Sequence, residues 1–251
     1  MKKIETLGIF DSGLGGYTVY QDLKHELPEL SMVLFADQKN APYGNYDHQT
    51  IIKLAKNAMN WFLDEGITDV LLACNTVTSV ALEILKDTFP QMRIWGIIDL
   101  TLEQLPNDVK NIAVVATTAT VSTLAYTQGF NERFKGNVEE RAMKDLAIAI
   151  ETLASEDIIN DMIEETMSTL DNPSHIILGC THYPLVKSQF EKVSNATLVD
   201  SILPIRNFIK NNYKKTDGNK RIVTTKDAKV FQQQINTLYN ENEEVKKVCL
   251  K

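Results

Sequence analysis

Cysteine is scarce in this chain of 251 residues, and its three copies follow no regular spacing. An odd, irregular set argues against a disulfide framework, which small secreted domains build from even sets at regular intervals. Neither a CxxC pair nor an HExxH segment occurs, so local sequence indicates no metal site. We therefore expect free thiols and no bound metal.

Positive charge is also in short supply. Lys and Arg total 26 against 33 Asp and Glu, which gives a formal net charge of −7. Because nucleic-acid binding depends on phosphate contacts from Lys and Arg, we expect no nucleic-acid partner. No apolar run reaches the length of a bilayer span, and Asp11 interrupts the first apolar stretch too early for a signal peptide. We expect no membrane association and a reducing, cytoplasmic location.

What the chain does have is an alternation of short apolar runs with longer segments of helical period. This pattern predicts an α/β fold with largely parallel strands. The predicted strands are Leu7–Phe10, Met32–Ala36, Asp69–Ala73, Arg93–Ile98, Ile112–Ala116, His175–Leu178 and Thr197–Asp200. The predicted helices are Thr18–Leu27, Thr50–Glu65, Thr76–Thr88, Thr120–Phe134, Asp157–Leu170, Pro184–Val193 and a tail helix near Asp227–Tyr239.

Two segments repeat each other across the chain. Asp69–Thr76 resembles His175–His182, and the first strand is echoed at nearly the same offset by residues 113–118. We predict two similar, pseudo-symmetric α/β domains with the active site in the cleft between them. Residues 1–98 with 207–251 would form the first domain, with the C-terminal helix packed back on it. Residues 99–206 would form the second.

Each domain of this prediction carries one cysteine, Cys74 or Cys180, directly after an apolar strand and before a helix. Ligands of open parallel sheets bind beyond the carboxyl ends of strands. A helix N-terminus lowers a thiol's pKa from about 8.5 toward neutrality. One such cysteine is more often a packing residue, whereas two at equivalent positions favour chemistry. Cys249, in a charged tail, has no such context.

Other turns are polar in the same places. Asp11-Ser12-Gly13-Leu14-Gly15-Gly16 follows the first strand, but Asp11 stands where the dinucleotide fingerprint requires Gly. Asp11 could hold an ammonium group, position a thiol, or serve only as a helix cap. Tyr43 and Gly44 could offer a hydroxyl and an amide, or form an ordinary turn. His182 lies two residues after Cys180, close enough to share its proton chemistry.

Together these segments resemble the glutamate racemases of the cofactor-independent aspartate/glutamate racemase superfamily. The matching segments are Gly8–Gly16, Pro42–Gly44, Ala73–Thr76 and Leu178–Pro184, with weaker matches at Ile112–Thr117, Thr120, Tyr126 and Val199–Ser201. The two cysteine motifs in order, with the opening Asp-Ser-Gly, are highly specific as a set.

The resemblance implies a cofactor-independent homodimer that holds glutamate between its domains and supplies D-glutamate for peptidoglycan. It implies Cys74 and Cys180 as the acid/base pair, assisted by Asp11, His182 and Glu151. It also implies a glutamate site formed by Asp11, Ser12, Tyr43, Gly44, Asn75, Thr76, Thr181 and His182. In the family, the first cysteine removes the α-proton of D-glutamate and the second that of L-glutamate.

Three departures from the family pattern lie near the expected cleft. Gln38-Lys39-Asn40 replaces Thr or Ser followed by Ala-Arg, and Ala116 replaces Gly. The segment around Glu151 has fewer Pro and Gly than is usual. We expect these changes to affect substrate preference and rate more than the fold.

Two facing thiols suit racemisation because one can take the α-proton while the other returns a proton to the opposite face. No lysine lies in a recognisable pyridoxal-phosphate context, so amides and hydroxyls would have to hold the developing charge. An aspartate or broader-specificity racemase, or a non-catalytic amino-acid-binding or regulatory relative, stays open. A thiol hydrolase is less favoured, because it would leave one cysteine idle.

Overall fold

The computed structural model describes residues 2–250, which form ten strands and eleven α-helices. The strands are β1 (Thr6–Asp11), β2 (Ser31–Ala36), β3 (Asp69–Leu72), β4 (Arg93–Gly96), β5 (Asn111–Ala116), β6 (Asn137–Ala142), β7 (His175–Gly179), β8 (Thr197–Val199), β9 (Lys220–Thr224) and β10 (Val245–Lys247). The helices are α1 (Gly16–Glu26), α2 (His48–Asp64), α3 (Asn75–Thr88), α4 (Ile97–Leu102), α5 (Thr118–Thr123), α6 (Ala125–Arg133), α7 (Leu146–Glu151), α8 (Glu156–Met167), α9 (Lys187–Val193), α10 (Ile202–Asn212) and α11 (Ala228–Tyr239). Short 3-10 turns cover Tyr43–Asn45 and Tyr183–Val186.

The strands pair into two sheets, and every pairing within them is parallel. The first sheet has the order β10-β9-β2-β1-β3-β4, and the second has the order β6-β5-β7-β8. Parallel neighbours need crossover connections, which the intervening helices provide. The predicted α/β fold with two parallel sheets is confirmed.

Helices cover both faces of each sheet, as the uninterrupted apolar runs of central strands require. In the first sheet, helices α1, α10 and α11 pack on one face through Leu23, Ile205 and Phe231. Helices α2 and α3 cover the other face. The second sheet lies between α7, α8 and α9 on one side and α4 with α6 on the other.

The chain returns to the first sheet at its C-terminal end, since β9 pairs with β2 and β10 pairs with β9. Ile205 and Ile209 of α10 also belong to the core of the first sheet. The domain limits given above stay a prediction. Among the helices in residues 2–250, none has the length and apolar character of a bilayer span.

Several predicted elements have different limits in the structure. The segment Thr120–Phe134 forms two helices, because the backbone turns left-handed at Leu124, where φ is 55°. The strand expected to reach Ile98 ends at Gly96, and α4 starts at the next residue. Segment 184–193 begins as a 3-10 turn.

Besides α4, five elements were not predicted from the sequence. Strand β6 contains Glu139, Glu140 and Arg141 at the edge of its sheet, so it has no apolar run. The remaining four are β9, β10, α7 and α10, of which β9, β10 and α7 are six residues long or shorter.

Candidate active site

A cavity of about 140 Å³ lies where strands of both sheets end, and most of the predicted site residues line it. The predicted residues that line it are Ser12, Tyr43, Gly44, Cys74, Asn75, Thr76, Glu151, Cys180, Thr181 and His182. The two thiols reach it from equivalent places, since Cys74 follows β3 and Cys180 follows β7. Asp11 is fully buried and is not part of the lining.

Cys74 is buried at the N-terminus of α3, with its sulfur 3.6 Å from the Ser12 hydroxyl oxygen. Burial, followed by the nearby Asp11 carboxylate, raises the pKa of Cys74 to about 12. The Val77 amide in the first turn of α3 and the Ser12 hydroxyl act in the opposite direction. The helix N-terminus does act to lower this pKa, but the expected net pKa near neutrality is wrong for Cys74, because the loss of hydration outweighs the amide.

Cys180 has a different neighbour. Its sulfur lies 3.7 Å from Nδ1 of His182, and Nε2 of His182 lies 2.8 Å from Oε2 of Glu151. Burial alone would lower the pKa of His182, but contacts with Cys180 and Glu151 raise it well above its ordinary value. These surroundings favour the imidazolium form of His182, which lies between the Cys180 sulfur and the Glu151 carboxylate.

Glu151 is the residue whose place in the site was hardest to infer from sequence, and it lies at the end of α7 beside His182. Burial would raise its pKa, but hydrogen bonds from His182, Gln38 and the Leu14 amide overcome this effect and lower it. The carboxylate accepts from the Leu14 amide at 3.3 Å. Glu151 therefore contacts the loop after β1 as well as its own side of the cleft.

Asp11 connects the two sides from beneath the cavity lining. Its carboxylate accepts from the Gly13 amide at 2.8 Å and from the Thr181 hydroxyl at 3.0 Å. Burial raises its pKa to about 6, although the charge of His182 acts against the rise. A ligand ammonium group would compete with partners that the carboxylate already has.

The glycines in the turn after β1 allow Thr181 and Glu151 to lie close to the backbone of that turn. A methyl group at Gly15 would overlap the Thr181 hydroxyl, and one at Gly13 would lie 2.7 Å from Oε2 of Glu151. Side chains at these positions would push apart the two loops that carry the candidate residues.

Two side chains predicted to contact a ligand, Tyr43 and Asn75, already form hydrogen bonds within the protein. The Tyr43 hydroxyl donates to Asp37 at 2.6 Å, so its hydrogen is not available to a ligand. The Tyr126 hydroxyl donates to the side-chain oxygen Oδ1 of Asn75 at 2.6 Å. This bond orients the Asn75 amide and leaves its NH₂ group for a ligand.

Thr117 is one lining residue that sequence reasoning left out of the site. It follows β5, and its hydroxyl lies 2.9 Å from that of Thr76 across the cleft. Its place after a strand end is the signal that identified Cys74 and Cys180, so it could have been found. Gln38, Lys226 and Gln234 also line the cavity, although the latter two belong to the tail, where no local motif indicates a site.

The departures from the family pattern fall in the same region. Asn40 donates to both oxygens of the Asp37 carboxylate, at 3.1 and 2.9 Å. Gln38 donates to Glu151, and Ala116 is fully buried at the end of β5. Among residues 2–250, no group of three or more His, Cys, Asp and Glu is placed to hold a metal ion.

Comparison with known proteins finds one family model and several relatives that agree with one another. The family described as Asp/Glu/Hydantoin racemase matches residues 16–203. A glutamate racemase of Lactobacillus johnsonii is 32% identical over 192 residues, which cover 74% of this chain and 72% of the relative. A glutamate racemase of Sulfurovum is 37% identical over 197 residues, which cover 74% of each chain.

A solved structure supports the fold over nearly the whole length. The glutamate racemase of Francisella tularensis in complex with D-glutamate superposes with a TM-score of 0.89, at 24% sequence identity. The match covers 98% of each chain.

Proposed function

The chain belongs to the glutamate racemase family within the Asp/Glu/hydantoin racemases, and on that premise we propose that it interconverts L- and D-glutamate by proton transfer through Cys74 and Cys180. The observation that carries the mechanism is that two buried free thiols, at equivalent strand ends of two sheets, line one small cavity. Packing alone gives no reason for both to reach the same polar cleft.

The proton balance is simple. The Cys180 thiolate takes the α-proton of L-glutamate, and the Cys74 thiol gives its proton to the opposite face of the carbanion. The product is D-glutamate, with Cys180 now a thiol and Cys74 a thiolate. In the reverse direction Cys74 takes the proton and Cys180 returns one, so neither thiol needs to cross the substrate.

The carbanion requires stabilisation as charge moves toward the α-carboxylate. The Asn75 amide, the hydroxyls of Ser12 and Thr76, and the amides at the start of α3 are the donors available in the cavity, since the Thr181 hydroxyl already donates to Asp11. Donors that are held in place before the reaction stabilise such charge without reorganising. We assign the substrate carboxylate to this set.

The family also supports a wider role, which we include in the proposal. The enzyme would supply D-glutamate for peptidoglycan in the cytoplasm, where thiols stay reduced. It would act as a homodimer, which light scattering of the purified protein at several concentrations tests directly.

The decisive experiment follows α-proton exchange and inversion together. Purified protein without added cofactor is incubated in heavy water with L- or D-glutamate, and with aspartate as a specificity control. We expect inversion of glutamate with one deuterium at Cα, and loss of inversion in both Cys74→Ser and Cys180→Ser.

Folded, reduced protein that leaves the α-proton of glutamate in place would contradict the racemase proposal. Inversion that survives either serine substitution would contradict the two-thiol mechanism while leaving the activity intact.

A further inference from the structure

Glu151 is held by two glutamine side chains that come from the opposite side of the cleft. Gln38 follows β2, and its Nε2 lies 2.9 Å from Oε1 of Glu151. The same Nε2 lies 2.9 Å from Oε1 of Gln234 on α11. The side-chain oxygen Oε1 of Gln38 accepts from the Thr224 hydroxyl at 3.3 Å. Every hydrogen-bonding group of the buried Gln38 amide is thus in use.

Gln234 completes the arrangement from α11. Its Nε2 donates to the backbone carbonyl of Glu151 at 3.0 Å. Glu151 is the last residue of α7, and the last carbonyls of a helix have no partner within the helix. One glutamine therefore holds the side chain of Glu151 and the other holds its backbone.

We propose that Gln38 and Gln234 are positioning residues, a glutamine clasp that closes the cleft on Glu151 and keeps its second oxygen aimed at His182. The clasp acts through Glu151 and His182 on Cys180. The proposal rests on the proposed racemase function, and it gives a role to Gln38, one of the departures from the family pattern.

The two carboxylate oxygens of Glu151 accept hydrogen bonds from different donors, and this is the physical basis of the proposal. Oε1 accepts from Gln38, while Oε2 accepts from His182. An amide donor favours the charged carboxylate and lowers its pKa, whereas the charged carboxylate favours the imidazolium. Loss of the donor would raise the pKa of Glu151, and the acidic limb of activity would move to higher pH.

The test is the pH dependence of kcat/KM for glutamate in Gln38→Leu, Gln38→Glu and Gln234→Leu. For Gln38→Leu we expect a roughly tenfold loss near neutral pH and an acidic limb about one pH unit higher. Gln38→Glu should move that limb further, because two carboxylates at this distance share one proton. Gln234→Leu should move it less, since Gln234 bonds the backbone of Glu151.

The matched control is Gln233→Leu, on the exposed face of the same helix, which should leave the profile unchanged. A second readout avoids turnover: the pH dependence of Cys180 alkylation by iodoacetamide, read by peptide mass, with Cys249 as internal reference. Its midpoint should move to higher pH in Gln38→Leu. If that variant does not fold, Gln38→Glu, which keeps the length and polarity, carries the same test.

An unchanged acidic limb in Gln38→Leu and Gln38→Glu would overturn the proposal, as would a loss of activity without any shift. Wild-type protein that does not racemise glutamate would instead count against the proposed function. In that case the alkylation midpoints still decide whether the clasp acts on Cys180.

Discussion

The two cysteines occupy equivalent positions in two similar halves, yet their electrostatic surroundings differ. Cys74 starts a helix of fourteen residues and has the Ser12 hydroxyl and the Asp11 carboxylate nearby. Cys180 leads into a 3-10 turn, and its partner is the His182 imidazole, which Glu151 holds in turn. Burial and a negative neighbour favour the thiol form of Cys74, whereas Cys180 lies beside a histidine whose own pKa is raised.

This difference teaches that pseudo-symmetry of the scaffold does not produce symmetry of the chemistry. In the proposed mechanism, L-glutamate is accepted when Cys74 is the thiol and Cys180 the thiolate, and D-glutamate is accepted in the opposite state. The enantiomers have equal free energy in solution, so kcat/KM must be the same in both directions. The asymmetry can appear only in kcat and KM taken separately and in isotope exchange.

The largest effect that tests the comparison comes from removing each thiol. We expect both Cys74→Ser and Cys180→Ser to lose about 10³-fold or more of inversion, because serine is a far weaker acid and base in this range. Cys74→Ser should still exchange the α-proton of L-glutamate without inversion, and Cys180→Ser that of D-glutamate. Chiral separation with mass detection in heavy water measures both. Exchange of D-glutamate by Cys74→Ser and of L-glutamate by Cys180→Ser would mean that the assignment of faces is wrong.

A smaller effect separates the partners of the two thiols. His182→Gln keeps the size of the ring but removes the cation, and we expect roughly a 10²- to 10³-fold loss of kcat. Ser12→Ala removes only a neutral hydroxyl and should cost about tenfold. Steady-state kinetics with both enantiomers compares them, with His175→Gln at the opposite end of β7 as the matched histidine control. Equal losses in His182→Gln and Ser12→Ala would remove the proposed asymmetry.

Asp11 provides a pH-dependent test through stability. Its pKa rises from an ordinary 3.8 to about 6 on folding, so between these values the folded chain keeps a proton that the unfolded chain has released. The free energy of unfolding therefore falls as pH rises through this window, by up to about 3 kcal/mol above it. Asp11→Asn should be more stable than wild type at pH 7 by an amount of that order, and equal to it below the window. Urea unfolding at both pH values measures the difference, and no gain at pH 7 would contradict the buried, destabilising carboxylate.

The smallest effect is expected at the third cysteine. Cys249 is exposed, follows the edge strand β10 and does not line the cavity. Cys249→Ser should leave kcat and KM within about twofold of wild type, since substitutions at such surface positions have little effect. Its alkylation rate should follow that of an ordinary exposed thiol. Any larger change would mean that Cys249 itself influences the site.

Most of the fold and the centre of the candidate site could be predicted from local sequence. The apolar runs of β1, β2, β3, β5 and β7 form buried strands, and their apolar character is visible in the sequence alone. Ser12 and Cys74 lie together because parallel strands bring their carboxyl ends to one edge of the first sheet, and Cys180 lies at the corresponding edge of the second sheet. Strand β6 could not be identified, since its charged residues lie at an edge where burial is incomplete.

The sequence by itself determined the α/β class, the two cysteine motifs and the family, because these depend on local periodicity and on residues adjacent in the chain. Only the tertiary structure decided what surrounds each thiol. Glu151 reaches His182, and Gln38 and Gln234 reach Glu151, across separations that no local pattern records. Burial and distance set the pKa values of Asp11, Cys74 and His182, and both arise only when the two halves close on each other.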